Sequence, residues 1–436
     1  MATLRGFVES VLDIQPGSAT PAFYSRPDTL SHNFELRCLT TPGNTHPQTD
    51  FFEFYWQHLM PKAEWSQVFS WAWFMMHRGI KDVPQRFLAA WWALWIAAVA
   101  LSILIVSSFI HTYLEHQVTP KMLLTLPFGA ALIWLFLKGL FLSSVGDAAI
   151  YLIARPENVA ARHAIRSAGV ELLDSIHKSG EYTRVIVVGH SLGSVIGYDI
   201  LNYAWQIYHK QHGSPENPRK ETRQCLEEVG QRALALNELH ALREKIPMKM
   251  REEWFSLVQK VGNELRMNKH RWLVTDFVTL GSPLAHADLL LARNREELQR
   301  KIREREFPCS PPVVDDEGTL SQRMHYELQD DDHNDPKKSK RTTFVPYHAA
   351  WTACVRWTNL YFPCRLLLKG DLVGGPLAPL FGPGINDVPV HTRYRGGLLA
   401  HTNYWHRDPR DRDEPDAPVR CLHRAQDLKI WREEGR

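Results

Sequence analysis

Gly189-His190-Ser191-Leu192-Gly193 sets one serine between two glycines in a G-x-S-x-G pattern. It follows directly on the β-branched run Arg184 to Val188, which reads as a buried parallel strand, and it precedes helical spacing from Leu192 to Trp205. So sharp a strand-to-helix turn lifts the serine hydroxyl above the sheet edge. Glycine on both sides fits a turn where side chains would strike the neighbouring strand and helix. The N–H of Leu192, at the start of the helix, is placed to stabilise an oxyanion. The pattern points to nucleophilic catalysis by Ser191, with Leu192 as oxyanion donor. Gly189, His190 and Gly193 shape the turn, His190 by packing.

A serine hydroxyl attacks well only when a base takes its proton and an acid orients the base. Asp371 lies in Lys369-Gly-Asp-Leu-Val-Gly-Gly375, a loop after the strand candidate Val355 to Phe362. His401 lies in Leu399-Ala-His-Thr-Asn-Tyr-Trp405, after a short strand candidate around Val390. Both suit loops at strand ends. The rival acids are Asp387 and Asp276. Asp276 falls inside the strand candidate Trp272 to Leu280 and reads as structural. The rival base, His391, sits at a strand candidate itself and projects less freely. Ser282, in Thr279-Leu-Gly-Ser-Pro283, precedes a proline that has no N–H to offer an oxyanion, so it reads as a turn residue. Asp330, Asp332 and Asn334 have the opening spacing of a calcium loop. Asp335 stands where that loop needs glycine and Arg341 where it needs glutamate, so a solvated acidic loop is expected. No metal or cofactor is expected.

These residues need a scaffold. The chain has 436 residues, 44% hydrophobic and 23% charged, enough for one large α/β domain and an extra module. Asn158 to Lys178 has helical periodicity. Residues 206–270 form a charged, helix-prone insertion that reads equally as a lid or as a solvated excursion. Leu88 to Ile110 contains no charged residue and as a helix would span about 34 Å, the reach of a bilayer. Met122 to Val145 is a second apolar run whose single charge is Lys138. The two runs, joined by His111 to Lys121, predict a transmembrane hairpin within residues 81–147. Arg78, Lys81 and Arg86 before it, and Arg155, Arg162 and Arg166 after it, place both ends and the catalytic part in the cytoplasm, with the hairpin in the inner membrane. Trp65, Trp71, Trp73, Trp91, Trp92, Trp95 and Trp134 cluster near these runs, as suits a membrane interface. Trp205, Trp272 and Trp357 read as core. Residues 1–80 form an N-terminal part, 148–410 the catalytic domain, and 411–436 a polar, partly disordered tail.

Composition excludes some classes. A net charge of +3 gives no electrostatic case for a nucleic-acid partner. Six cysteines, spread without a C-x-x-C pair, read as thiols in a reducing compartment. Arg5, Glu9 and Asp13 interrupt the N-terminal apolar residues, so no signal peptide is read.

Taken together, the chain resembles bacterial α/β-hydrolases, lipase-like, with a membrane hairpin before the nucleophile. The resemblance rests on Phe51-Phe-Glu-Phe-Tyr-Trp56, Gly146-Asp-Ala-Ala-Ile-Tyr151, Val187-Val-Gly-His-Ser-Leu-Gly-Ser194, Thr279-Leu-Gly-Ser-Pro283, Arg356-Trp-Thr-Asn-Leu-Tyr361, Gly370-Asp-Leu-Val-Gly-Gly375 and His401-Thr-Asn-Tyr-Trp405. It implies a mostly parallel sheet flanked by helices. It also implies a Ser191-Asp371-His401 triad cleaving carboxylic esters, lipid-like acyl esters among them, through an acyl-enzyme at a bilayer. The alternative is a catalytically impaired hydrolase-fold membrane scaffold. The family pattern opens with a strand ending in a His-Gly-x-Gly-type turn that gives a second oxyanion donor. Here Met1-Ala-Thr-Leu-Arg5 stands where the following helix belongs. An in-frame strand upstream is therefore expected; failing that, a donor near Thr40 or Thr41.

Overall fold

The computed structural model describes residues 2–12, 22–31, 35–42, 48–60, 156–211, 220–242, 246–267, 270–314, 321–326, 341–364, 370–392, 400–406 and 414–426, with isolated positions between 73 and 107, 151 and 244. Contacts divide the chain into two units. One comprises Met1–Trp56, Ala164–Ala287 and Glu296–Arg436; the other comprises Gln57–His163 and Asp288–Arg295.

The first unit is built on a four-stranded parallel sheet of order β4-β5-β8-β9. Its strands are β4 (Val185–His190), β5 (Val274–Leu280), β8 (Arg356–Tyr361) and β9 (Asn386–Pro389). Three short antiparallel strands, β1 (Tyr24–Pro27), β2 (Arg37–Thr40) and β3 (Asp50–Phe51), form a separate sheet. β6 (Ser321–Tyr326) and β7 (Arg341–Pro346) form an antiparallel pair. The helices are α1 (Ala2–Val11), α2 (Pro156–Ser179), α3 (Leu192–Gln211), α4 (Lys220–Ala241), α5 (Met248–Met267), α6 (Ala287–Leu290), α7 (Arg295–Arg303), α8 (Ala378–Phe381) and α9 (Pro418–Gln426).

Parallel strands are joined by crossovers, which put helices on both faces. On one face Val187 and Phe277 lie within van der Waals reach of Gly197 in α3, and Trp357 packs on Phe277 and Tyr198. On the other face Val278, Leu280 and Leu360 form a core with Val11 of α1 and with Cys421 and Leu422 of α9. Strand β5, central and covered on both faces, is buried along its whole length.

The three strand candidates form where they were read and all join the parallel sheet, as does a fourth just before Val390. The structure corrects one of these readings. The run Arg184 to Val188 was expected to be buried, yet Val185 to Val188 are half-buried. Among the described residues β4 pairs only with β5, and no described strand pairs with its other side.

The insertion resolves into two helices. Lys260–Glu228 and Arg232–Glu253 ion pairs set α4 and α5 antiparallel. The last turn of α5 carries Arg266 to the neighbourhood of Asp276 and Arg184, at the end of the sheet away from Ser191. The polar tail expected at 411–436 contains α9, whose Cys421 and Leu422 enter the core. Trp205, Trp272 and Trp357 are buried, as expected of core residues. None of the six cysteines is in a disulfide, and five are buried.

The second hairpin run, residues 122–145, lies outside the described residues, as do Asp330, Asp332 and Asn334. Of the first run only scattered helical positions are described. Among the described residues no helix is long and apolar enough to cross a membrane.

The far end of the sheet is tied by charge. Asp276 receives Arg184 at 2.6 Å and Arg356 at 2.6 Å, and all three side chains are largely removed from water. Removing the carboxylate would strand two buried guanidiniums. Asp276→Asn is expected to cost about 3 kcal/mol of stability. Urea unfolding of the two proteins measures it; a loss within about 0.5 kcal/mol, the usual range of surface changes, would show that water already satisfies the arginines.

Candidate active site

The serine sits at the turn that the sequence pattern requires. Strand β4 ends at His190, α3 begins at Leu192, and Ser191 between them has φ of 52°. A non-glycine residue held in this left-handed region carries about 1–3 kcal/mol of strain, kept only when surrounding structure enforces it. The Ser191 N–H donates to Leu280 O at 2.9 Å, and Ser194 N–H to Ser191 O at 2.9 Å. Gly189 is required sterically, since a Cβ there would lie 2.5 Å from Ser194 Cα. Gly193 is not required on that ground: a Cβ there meets nothing within 4 Å. Its expected clash with the neighbouring elements is absent because it faces a cavity. Leu192, the first residue of α3, carries one of the first-turn amides that a helix cannot satisfy internally.

Three loops bring the polar groups together. Ser191 Oγ lies 2.8 Å from His401 Nε2, and His401 Nδ1 lies 2.9 Å from Asp371 Oδ2. Asp371 is almost fully buried, at 1% exposure. Burial alone would raise its carboxyl. The hydrogen bond and charge of His401, the Tyr404 hydroxyl and the Gly374 N–H outweigh burial and hold it below the usual carboxylate range. Tyr404 donates to Asp371 Oδ2 at 2.7 Å, and the Val373 N–H to Asp371 Oδ1 at 2.8 Å.

The sequence reading missed Tyr404 and two glycines. A Cβ at Gly374 would sit 2.6 Å from Asp371 Oδ2. One at Gly281, where φ is 57°, would sit 2.8 Å from the same oxygen and 3.1 Å from His401 Nδ1. Both glycines stand in stretches already singled out, Thr279 to Pro283 and Gly370 to Gly375. Nothing in those stretches says which glycine touches the carboxylate.

His190 does more than pack. Its Nε2 lies 2.7 Å from the His401 carbonyl, and its ring stands 4.9 Å from the His401 ring and 4.8 Å from Trp405. Burial, then the nearby His401 ring, pulls its pKa from 6.5 down to about 4. A neutral ring donates Nε2–H to that carbonyl and so helps to position the base.

The rival residues lie elsewhere. Asp387, in β9, accepts from Asn359 Nδ2 at 2.7 Å and from the Leu377 and Ala378 amides at 2.9 Å each. Asp276 holds the arginines at the opposite end of the sheet. His391 is exposed, and its N–H bonds the Asp416 carbonyl. Ser282 caps a short 3-10 turn by accepting the Leu284 N–H at 3.2 Å, as expected of a turn residue.

No family model, no curated protein and no solved structure matches the chain.

A histidine with pKa 6.5 unfolded and about 4 folded binds fewer protons in the folded state between those values. Stability therefore rises with pH across that window and is lost as pH falls from about 6.5 towards 4, by about 3 kcal/mol in all. His190→Gln should lose correspondingly less stability than the parent between pH 7.5 and pH 4.5, read from urea midpoints. Parallel losses in the two proteins would remove His190 from the acid response.

Proposed function

We propose that this chain is a serine hydrolase of the α/β-hydrolase type that cleaves carboxylic esters, lipid-like acyl esters among them. The observation that carries the reading is the unbroken line Ser191 Oγ, His401 Nε2, His401 Nδ1, Asp371 Oδ2, with steps of 2.8 Å and 2.9 Å. In this reading His401 Nε2 takes the Ser191 proton as Oγ attacks the ester carbonyl. The carbonyl π electrons move to oxygen, and the Leu192 N–H faces the oxyanion. Collapse expels the alkoxide, which leaves with the proton from His401, and Ser191 stays acylated. Water, deprotonated by the same nitrogen, then releases the acid. Asp371 stays ionised throughout and stabilises the imidazolium.

A membrane site fits the same reading. At helical positions of the first apolar run, Trp92, Ile96, Val99, Ile103 and Val106 are exposed, each more than half. Such a row of apolar side chains in contact with water suits burial in lipid. Recovery of the protein in the pellet after carbonate washing is expected; release into the supernatant would count against a spanning hairpin.

Labelling by a fluorophosphonate tests the chemistry. Ser191→Ala should abolish labelling and ester hydrolysis with the fold intact. Asp371→Asn and Gly374→Ala should each slow labelling by about two orders of magnitude, since one removes and the other displaces the orienting carboxylate. Asp387→Asn, at the rival acid, should label at the parent rate per folded molecule. Undiminished labelling of Ser191→Ala would sink the assignment.

A further inference from the structure

Ser191 keeps its left-handed φ of 52° against strain, so something must hold the peptide on each side of it. On the N-terminal side the Ser191 N–H donates to Leu280 O at 2.9 Å. On the C-terminal side the Ser191 carbonyl accepts from the Ser194 N–H at 2.9 Å and from Ser194 Oγ at 2.6 Å. Ser194 Oγ in turn lies 2.6 Å from Ser282 Oγ, and Ser282 Oγ accepts the Leu284 N–H at 3.2 Å. The segment from Leu280 to Leu284 thus grips the nucleophile from both sides. Ser194 and Ser282 are fully buried.

The protons in this chain have one arrangement. A carbonyl can only accept, and an amide N–H can only donate. Ser194 therefore gives its one proton to the Ser191 carbonyl, and the proton between the two serines comes from Ser282. The run is Leu284 N–H to Ser282, Ser282 O–H to Ser194, and Ser194 O–H to the Ser191 carbonyl. That carbonyl and the Leu192 N–H belong to one planar, trans peptide, so they point in opposite directions. Whatever holds the carbonyl also aims the N–H. A helix's own first turn holds the carbonyl of the residue before it, but that residue is ordinarily extended rather than left-handed. The two serines supply the additional tie. The stretch Thr279 to Pro283 gives the triad no member, yet it serves the site twice. Its Gly281 stands against Asp371 and His401, and its Ser282 reaches the nucleophile's own peptide through Ser194.

We propose that Ser194 and Ser282 are positioning residues that aim the Leu192 N–H at the oxyanion. They touch no reacting atom and act through the Ser191–Leu192 peptide. The inference rests on the hydrolase reading of Ser191. It concerns how the oxyanion is met, not how the serine is activated. Loss of either hydroxyl lets the peptide tilt and the donor lose its alignment, while the line from Ser191 Oγ to His401 and Asp371 keeps all its members.

The test compares 4-nitrophenyl butyrate with its thiono analogue, in which C=S replaces the ester C=O, on the full-length protein. In the thiono substrate the developing charge falls on sulfur, a weak hydrogen-bond acceptor, so an aimed N–H gains little there. The parent should prefer the oxygen ester. In Ser194→Ala the ratio of the two kcat/KM values should fall about tenfold, less than the roughly hundredfold or greater loss that follows removal of a whole donor. Ser282→Ala, one hydrogen bond further from the peptide, should lower the ratio by a smaller factor. Both rates are read on one preparation, so a smaller folded fraction cancels from the ratio, and either variant carries the test. A ratio unchanged in both variants, whether the two rates fall together or not at all, would overturn this inference and leave Ser191-dependent hydrolysis standing. No turnover in the parent, or turnover that persists in Ser191→Ala, would instead defeat the hydrolase reading, and this inference with it.

Discussion

A carboxylate buried to 1% exposure must find hydrogen-bond donors, and Asp371 finds them in His401, Tyr404 and two backbone amides. The donors come from two stretches of chain. The loop after β8 supplies Asp371 and its amides, and the residues ahead of α9 supply His401 and Tyr404. A Cβ at Gly281 or Gly374 would sit within 3 Å of Asp371 Oδ2, so the carboxylate fits only because both positions are glycine. This one satisfied charge thereby fixes the imidazole, and through it the distance to Ser191.

The surrounding packing serves that geometry. His190 ties the nucleophile's turn to the His401 backbone, and Trp405 stacks edge-on against both His190 and Phe7 of α1. Ser10 of α1 bonds the Trp405 carbonyl, and His423 of α9 bonds the Ser10 carbonyl. The two helices farthest apart in sequence thus brace the same loop. At the other end of the sheet the Asp276 cluster anchors the strands. Charge is kept at the two ends and apolar packing between them, as expected where the sheet core has few partners for an ion.

Ser191 was legible because a local rule announces it, and Asp371 and His401 as members of a short set of candidates. A G-x-S-x-G after a β-branched run is a strand-to-helix turn whatever surrounds it. Loops after strands are where a base and an acid can project. Helices α2 and α3 and the strands of the parallel sheet were also readable, because the hydrophobic pattern is set by which faces are buried. The pairs β1 to β3 and β6–β7 were not read. Those strands are short or polar, and what makes them strands is their partners across the sheet.

Which glycine stands against the carboxylate, which of Asp371, Asp387 and Asp276 meets His401, and which strands pair were decided by tertiary structure. These depend on distances between segments tens to hundreds of residues apart, and composition and spacing carry no such distance. The run Arg184 to Val188 shows the division most clearly. Its residue types determined a strand with two apolar faces. Strand order alone decided that, among the described residues, only β5 pairs with its backbone, because main-chain pairing is made by a neighbour and is written in no side chain of the strand itself.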